Sequence, residues 1–279
     1  MSIQKSTIVR TFNVLEKVAP GLGGRLAYRL WFAVPETKPR PTNGQRLNAA
    51  LYGRSMAVDA WGDPADPVVF LVHGWGGRRS DLAAFVEPLV DKGFRVIAFD
   101  APGHGESAPG PVGAGRSTIF EFSALLEDLS DRYGPPHAVI AHSLGCMAVA
   151  HSLRNGVPAG RVVFIAPMAN AHAYTHEFAR RLGFGERIRT RMVARIERAV
   201  GPMAVFDLPA IAGRIDRPPL LLVHDREDRE TRYTDSEDIR AAWPGADLLA
   251  TTGLGHRRIL RDPDVVARVT GFAVAELPA

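Results

Sequence analysis

The chain of 279 residues has a single cysteine, Cys146. No disulfide can close within it, which suits a reducing compartment and excludes a disulfide-stapled secreted scaffold. No uncharged run approaches the roughly 20 residues that a membrane-spanning helix needs. Residues Met1 to Lys5 form no continuous apolar segment, and Glu16 and Lys17 interrupt the first apolar stretch. A secretory signal is therefore not expected, and the cytoplasm is the expected location. The histidines lack His-Glu-x-x-His spacing, cysteine pairs are absent, and neither a phosphate loop nor a dinucleotide fingerprint occurs, so no metal and no cofactor is expected. Internal repeats and low-complexity tracts are missing too. Charge of either sign is only slightly unbalanced, at 34 Lys and Arg against 30 Asp and Glu. The cations form no concentrated stripe with interleaved aromatics, so no nucleic-acid partner is expected.

What is present is a hydrophobic content of 46%, enough for one large core with a small insertion. Residues 1–34 read as helical: Ile8, Phe12, Leu15 and Val18 share a face. The run Pro20 to Gly24 is expected to break the helix, and a second apolar piece follows with Leu26, Leu30, Trp31 and Val34. Lys5, Arg10, Lys17, Arg25 and Arg29 decorate both pieces. Two readings follow, a helix pair packed on the domain or a weak contact with an anionic membrane surface. Pro35 to Pro41 reads as an extended linker.

From Leu47 onward, apolar runs alternate with helical patterns. Val68 to Val72, Arg95 to Phe99, His137 to Ala141, Arg161 to Ala166 and Pro219 to His224 are continuous enough for strands buried on both faces. Ser80 to Lys92 and Thr118 to Tyr133 read as helices between them. This rhythm predicts an α/β fold with a mostly parallel central sheet flanked by helices, whose ligands bind beyond the carboxyl ends of the strands. Residues 169–215 break the rhythm with a helix carrying Ile188, Met192, Ile196 and Val200 on one side, and Arg187, Arg189, Arg191, Arg195 and Arg198 along its length. They are expected to form a helical cap or lid, whose stripe either lines an acyl pocket or packs on the core. The expected organisation is thus an amino-terminal segment with its linker (1–45), a first core part (46–168), the cap (169–215) and a second core part (216–279).

Ala141-His142-Ser143-Leu144-Gly145 follows an apolar strand and precedes the helical run Cys146 to Leu153. A serine on such a sharp turn has its hydroxyl raised above the sheet at a helix amino terminus. A hydroxyl needs a base to take its proton. His256, after Gly253-Leu254-Gly255, lies on a loop beyond a strand-like segment at 247–252 and is the candidate. His142, beside the serine, is a poorer base. His73 and His104 are expected to buttress loops, and His224 to end a buried strand. Cys146 reads as a small buried residue on the elbow helix.

The pentapeptide around Ser143 resembles the nucleophile elbow of the α/β-hydrolases, Gly-x-Ser-x-Gly, with Ala141 in place of the first glycine. His73-Gly74-Trp75-Gly76-Gly77 resembles that family's oxyanion loop, and Asp100 to Ser107 its Asp-x-x-Gly-x-Gly-x-Ser segment. The loop Asp225-Arg226-Glu227-Asp228 stands where the family commonly has His-Gly-x-x-Asp ahead of its acid. The order Ser143, Asp228, His256 is the family's chain order, and the likeness covers most of the chain from about residue 50. The resemblance implies a Ser143–His256–Asp228 triad, with Asp225 as the other acid to consider. It also implies an oxyanion hole from the backbone N–H groups of Trp75 and Leu144. The implied activity is hydrolysis of an ester or related acyl bond in a small-molecule acyl substrate, in the manner of a carboxylesterase. Carbon–carbon bond hydrolysis, cofactor-free haloperoxidase activity and a non-catalytic ligand-binding role remain as alternatives.

Overall fold

The computed structural model describes residues 3–36, 38 and 40–276, with the side chains described from Thr7 onward; Met1, Ser2, and Thr37 and Pro39 of the expected linker lie outside the described residues. Eight strands form one sheet: β1 (Gln45–Leu51), β2 (Arg54–Trp61), β3 (Val68–Val72), β4 (Arg95–Phe99), β5 (Ala138–His142), β6 (Val162–Ile165), β7 (Leu220–Asp225) and β8 (Asp247–Thr251). Their spatial order is β1-β2-β4-β3-β5-β6-β7-β8. β3 to β8 run parallel, and the β1–β2 hairpin is antiparallel to β4. The helices are α1 (Ile3–Val18), α2 (Pro20–Trp31), α3 (Val86–Val90), α4 (Ile119–Tyr133), α5 (Leu144–Arg154), α6 (Ala171–Leu182), α7 (Glu186–Val200), α8 (Leu208–Ala212), α9 (Tyr233–Ala242), α10 (Gly255–Arg258) and α11 (Pro263–Ala273). None of the described helices is long and apolar enough to cross a membrane.

The α/β fold expected from the sequence is the one observed. β3, β5, β6 and β7 are buried along their whole length, because helices cover both faces of a parallel sheet and leave no polar side. The β1–β2 hairpin escapes the sequence pattern. At its edge β1 is mostly exposed, so it carries no apolar run to signal a strand. Helix boundaries follow from capping. Thr118 accepts a hydrogen bond from the Glu121 N–H and opens α4, and Asp262 does the same for α11 through Val265. The helix expected over Ser80 to Lys92 is instead a 3₁₀ segment, Arg79–Phe85, that passes into the short α3.

Chain contacts divide the molecule into two compact units, residues 34–169 with 208–279 around the sheet, and residues 1–33 with 170–207. The second unit is all helical. The sequence sets 1–45 and 169–215 apart as separate segments, whereas α1 and α2 pack directly with α6 and α7. The expected break falls at Ala19, just ahead of Pro20, but residues 20–24 already belong to the next helix. Pro20 stands in the first turn of α2, where its missing N–H costs nothing, and Gly23 and Gly24 lie buried inside it. A Cβ on Gly24 would stand 2.7 Å from that of Arg191, so the glycines let α2 approach α7 closely. Glu16 ties the pair further. Its carboxylate accepts from the N–H groups of Gly185, Arg187 and Ile188 at the start of α7. Ile188, Met192 and Ile196 are buried, so the α7 stripe is consumed by packing.

Within the sheet unit, one cation organises three segments. Arg79 is 2% exposed and bonds Asp59 on β2 at 2.5 Å, Asp100 after β4, and Glu106. Burial works against the charge of Asp59, yet hydrogen bonds from Arg79, Thr42 and Arg46 hold its carboxyl below the ordinary range. Burial pushes the Asp100 carboxyl up, against the pull of Arg79. Arg79→Met would leave the buried Asp100 without its cation and Asp59 with only Arg46 and Thr42. The expected cost is about 3–5 kcal/mol of unfolding free energy at neutral pH. Denaturant titrations should show the loss shrinking as the pH falls, because protonation relieves the stranded carboxylates; an unchanged midpoint at pH 7 would show that the network contributes nothing net.

Candidate active site

The strand order turns at β3, which has β4 on one side and β5 on the other. Loops leaving the carboxyl ends of β3 and β5 therefore diverge over a crevice, where an open α/β sheet admits a ligand. Ser143 follows β5 directly, with φ 54° and ψ −123°. That left-handed backbone at a non-glycine residue costs roughly 1–3 kcal/mol and persists only where its surroundings enforce it. Here β5 pulls from one side, since the Ser143 N–H donates to the Ile165 carbonyl on β6 at 2.9 Å, and α5 begins on the other with Cys146 N–H donating to Ser143 O at 3.0 Å.

The His73–Gly77 loop lies hard against this turn. A Cβ on Gly74 would stand 2.9 Å from that of Ser143, and one on Gly145 would stand 2.5 Å from the His73 carbonyl oxygen. Both glycines are thus demanded by close approach of the loop to the head of α5. Leu144 opens α5, and first-turn N–H groups have no acceptor within their own helix. His73 holds the loop. Its Nδ1–H donates to the Gly74 carbonyl at 2.7 Å, and its Nε2 accepts from the Ala101 N–H at 3.0 Å. Burial lowers its pKa to about 4, so the ring is neutral at physiological pH. His104, lowered by burial to about 3, donates from Nδ1 to Pro102 O and sits edge-on to Trp75. Phe122 lies nearly parallel to Trp75, ring centres 6.4 Å apart, and edge-on to His104.

His256 lies in α10, beyond β8, and Asp228 follows β7. The His256 Nδ1–H donates to Asp228 Oδ2 at 2.7 Å. The Asp228 side chain is fully buried. Burial opposes its charge, but hydrogen bonding from His224 and His256 and the Glu230 N–H holds the carboxyl far below the ordinary range. It remains a carboxylate across the physiological range, and the imidazole keeps its second nitrogen, Nε2, for other partners. Asp225, the other acid that the sequence left open, does different work. It accepts from Glu227 N–H at 3.0 Å, Thr251 Oγ1 at 2.8 Å and Leu254 N–H at 2.9 Å, bracing the loop that carries His256. His142 also serves His256, donating from Nε2 to its carbonyl at 2.9 Å. Burial, followed by the nearby His256, lowers the His142 pKa to about 3, which removes it as a base. Cys146 is fully buried, and burial pushes its thiol up.

Two residues escaped the sequence reading of the site. The Thr231 hydroxyl lies 3.0 Å from Asp228 Oδ2, 3.3 Å from His256 Nδ1 and 3.3 Å from His224 Nε2. Ser236 Oγ holds the far side of His224 at 2.7 Å from Nδ1. A lone threonine in a loop and a lone serine in a helix carry no spacing signal, so only the folded loop reveals them. A cavity of about 430 Å³ opens beside His256, and Glu230 and Arg257 line it as an ion pair at 3.1 Å. No cluster of metal-ligating side chains occurs among the described residues.

The fold and this arrangement define the class of α/β proteins that act from loops above the carboxyl edge of a parallel sheet. The family model for the alpha/beta hydrolase family matches residues 68–269, and the chain belongs to that family. Protein ABHD8 of Mus musculus is 32% identical over 130 residues, which are 42% of this chain and 29% of that protein. A non-heme chloroperoxidase of Burkholderia pyrrocinia is 38% identical over 104 residues, 37% of this chain and 36% of its own length. The chain thus spans well under half the length of these curated relatives. Among solved structures, a hydrolase of Pseudomonas aeruginosa superposes with a TM-score of 0.63 at 23% identity, covering 85% of this chain and 100% of that one.

Proposed function

We propose that the chain is a serine hydrolase that cleaves an ester or related acyl bond through Ser143, His256 and Asp228. The observation that carries this reading is the 2.7 Å bond from His256 to a buried, persistently charged Asp228, in a loop system shared with a serine on a strained strand-to-helix turn. In this reaction Ser143 Oγ attacks the carbonyl carbon while its proton passes to His256 Nε2. Asp228 keeps the imidazole in the Nδ1–H tautomer and stabilises the imidazolium. The N–H groups of Trp75 and Leu144 hold the oxyanion. Collapse expels the alcohol, which takes the proton from His256. Water, deprotonated by the same nitrogen, then releases the acid and restores the serine.

The chloroperoxidase relative supports a second reading, in which hydrogen peroxide takes the place of water at the Ser143 acyl-enzyme and the peracid released oxidises halide, returning the carboxylic acid. Ester cleavage is favoured because it needs only water as co-reactant. The compartment is proposed to be cytoplasmic, as the lone cysteine suggests. A fluorophosphonate probe tests the central claim. The native chain should take up one probe per molecule at Ser143, located by peptide mass, and should hydrolyse short-chain p-nitrophenyl esters. A folded chain that neither labels nor turns over any ester would instead be a ligand-binding member of the family.

A further inference from the structure

We propose that the outer face of the α1–α2 hairpin docks on an anionic phospholipid bilayer. Among the described residues six large hydrophobic side chains stand exposed, and five of them lie on this hairpin: Ile8, Val14, Val18, Leu22 and Leu26. Val14 and Val18 lie one turn apart on α1, and Leu22 and Leu26 one turn apart on α2, so each helix contributes an exposed pair to the apolar row. Val18 is the most exposed, at 74%, and Val14 and Leu22 follow at 58% each. Packing within the helical unit does not account for them. Phe12, Gly23, Gly24 and Ala27 supply the buried side, and the row lies on the other.

Charge supplies the identity of the partner. The helical unit, residues 1–33 and 170–207, holds 12 of the chain's 34 Lys and Arg and 5 of its 30 Asp and Glu, which leaves 22 against 25 for the sheet unit. The cationic excess of the whole chain therefore resides in the helices. On the hairpin the only acid is Glu16, and it is committed to the amino terminus of α7. Elsewhere in the unit Glu177 pairs with Arg180 and Arg181, and Glu186 with Arg189. Lys17, Arg25 and Arg29 are exposed beside the apolar row with no acid of the hairpin to offset them. Apolar side chains flanked by long cations suit the interface of a bilayer, where the stems lie along the acyl boundary and the charges meet lipid phosphates. A second copy of the same face fits poorly, because self-association would bring like charges together. Each cation near an anionic leaflet strengthens binding by about fivefold.

Vesicle flotation of the full chain tests this. Binding should be at least tenfold stronger to phosphatidylcholine vesicles carrying roughly 30 mol% phosphatidylglycerol than to phosphatidylcholine alone. It should fall at least tenfold when salt rises from about 0.1 M to about 1 M, which cuts the screening length from about 10 Å to about 3 Å. The double variant Val18→Asp/Leu22→Asp and the double variant Arg25→Glu/Arg29→Glu should each lose at least tenfold in binding while keeping the melting temperature. Tyr52→Asp, which alters the one large hydrophobic residue exposed off the hairpin among the described residues, should bind as the parent does. Equal binding to neutral and anionic vesicles would overturn the proposal, as would binding that the hairpin variants leave unchanged. A dimer in light scattering that Val18→Asp/Leu22→Asp dissolves, with no vesicle binding, would assign the face to self-association instead.

Discussion

Ser143→Ala is expected to lower kcat for an activated ester by on the order of 10⁶-fold, to the level that oxyanion donors and binding alone sustain. The substitution removes one oxygen and leaves Cβ in place, so the packing against Gly74 and the turn into α5 are retained. Unfolding should accordingly remain within about 0.5 kcal/mol of the parent, as for other changes that touch no buried network. The turn offers a second readout. Glycine tolerates the left-handed backbone that serine and alanine do not, so Ser143→Gly should unfold at a higher denaturant concentration than Ser143→Ala while being equally inactive. The measurements are initial rates on a p-nitrophenyl ester and urea titrations of the three proteins. A Ser143→Ala enzyme with near-parental turnover would move the nucleophile elsewhere and remove the proposed chemistry.

Asp228→Asn is expected to lower kcat by about 10⁴-fold with little change in KM. An amide at this position can donate to His256 Nδ1, which favours the tautomer with its proton on Nε2 and strips the base of its lone pair toward the serine. Asp225→Asn should cost far less, because Asp225 accepts from Thr251, Leu254 and Glu227 and has no bond to His256. Its effect should fall on stability of the 251–256 loop. The reverse ranking would make Asp225 the acid. The pH dependence has a defined sign. The folded-state pKa of Asp228 lies below the ordinary carboxylate value of about 3.9, so its stabilising contribution is complete at neutral pH and drains away as pH falls below about 5. The stability gap between parent and Asp228→Asn should therefore narrow in acid.

Legibility in the sequence tracked how locally each feature is encoded. Val68 to Val72 and Arg95 to Phe99 are strands over the residues that their apolar runs mark, because burial on both faces leaves an unbroken signal. β1 is half in water and gave no such signal. Pro20 to Gly24 is a mixed case: read locally, the five residues end a helix, and α1 does end just ahead of them, but Gly23 and Gly24 lie inside the next helix because α7 stands so near that only glycine fits there. The family resemblance implied Asp228, with Asp225 as the other acid to consider, and no local rule separates two carboxylates three residues apart. Thr231 and Ser236 left no trace at all.

By itself the sequence determined the parallel α/β class, the strand-to-helix turn at Ser143, the glycines that crowd around it and the order of the candidate residues along the chain. Each of these follows from short-range sterics or from hydrophobic periodicity, which neighbouring residues carry between them. Tertiary structure alone decided which carboxylate meets His256, that Thr231 stands among Asp228, His224 and His256, and that Arg79 joins β2 to the loop after β4. It alone also joined α1 and α2 to α6 and α7, leaving the row from Val14 to Leu26 exposed beside a cationic excess. Apart from the short reach of Thr231 to Asp228 and His224, these are relations between segments tens to hundreds of residues apart, set by how the strands order in the sheet and how closely the helices pack, and no short window of sequence contains both partners.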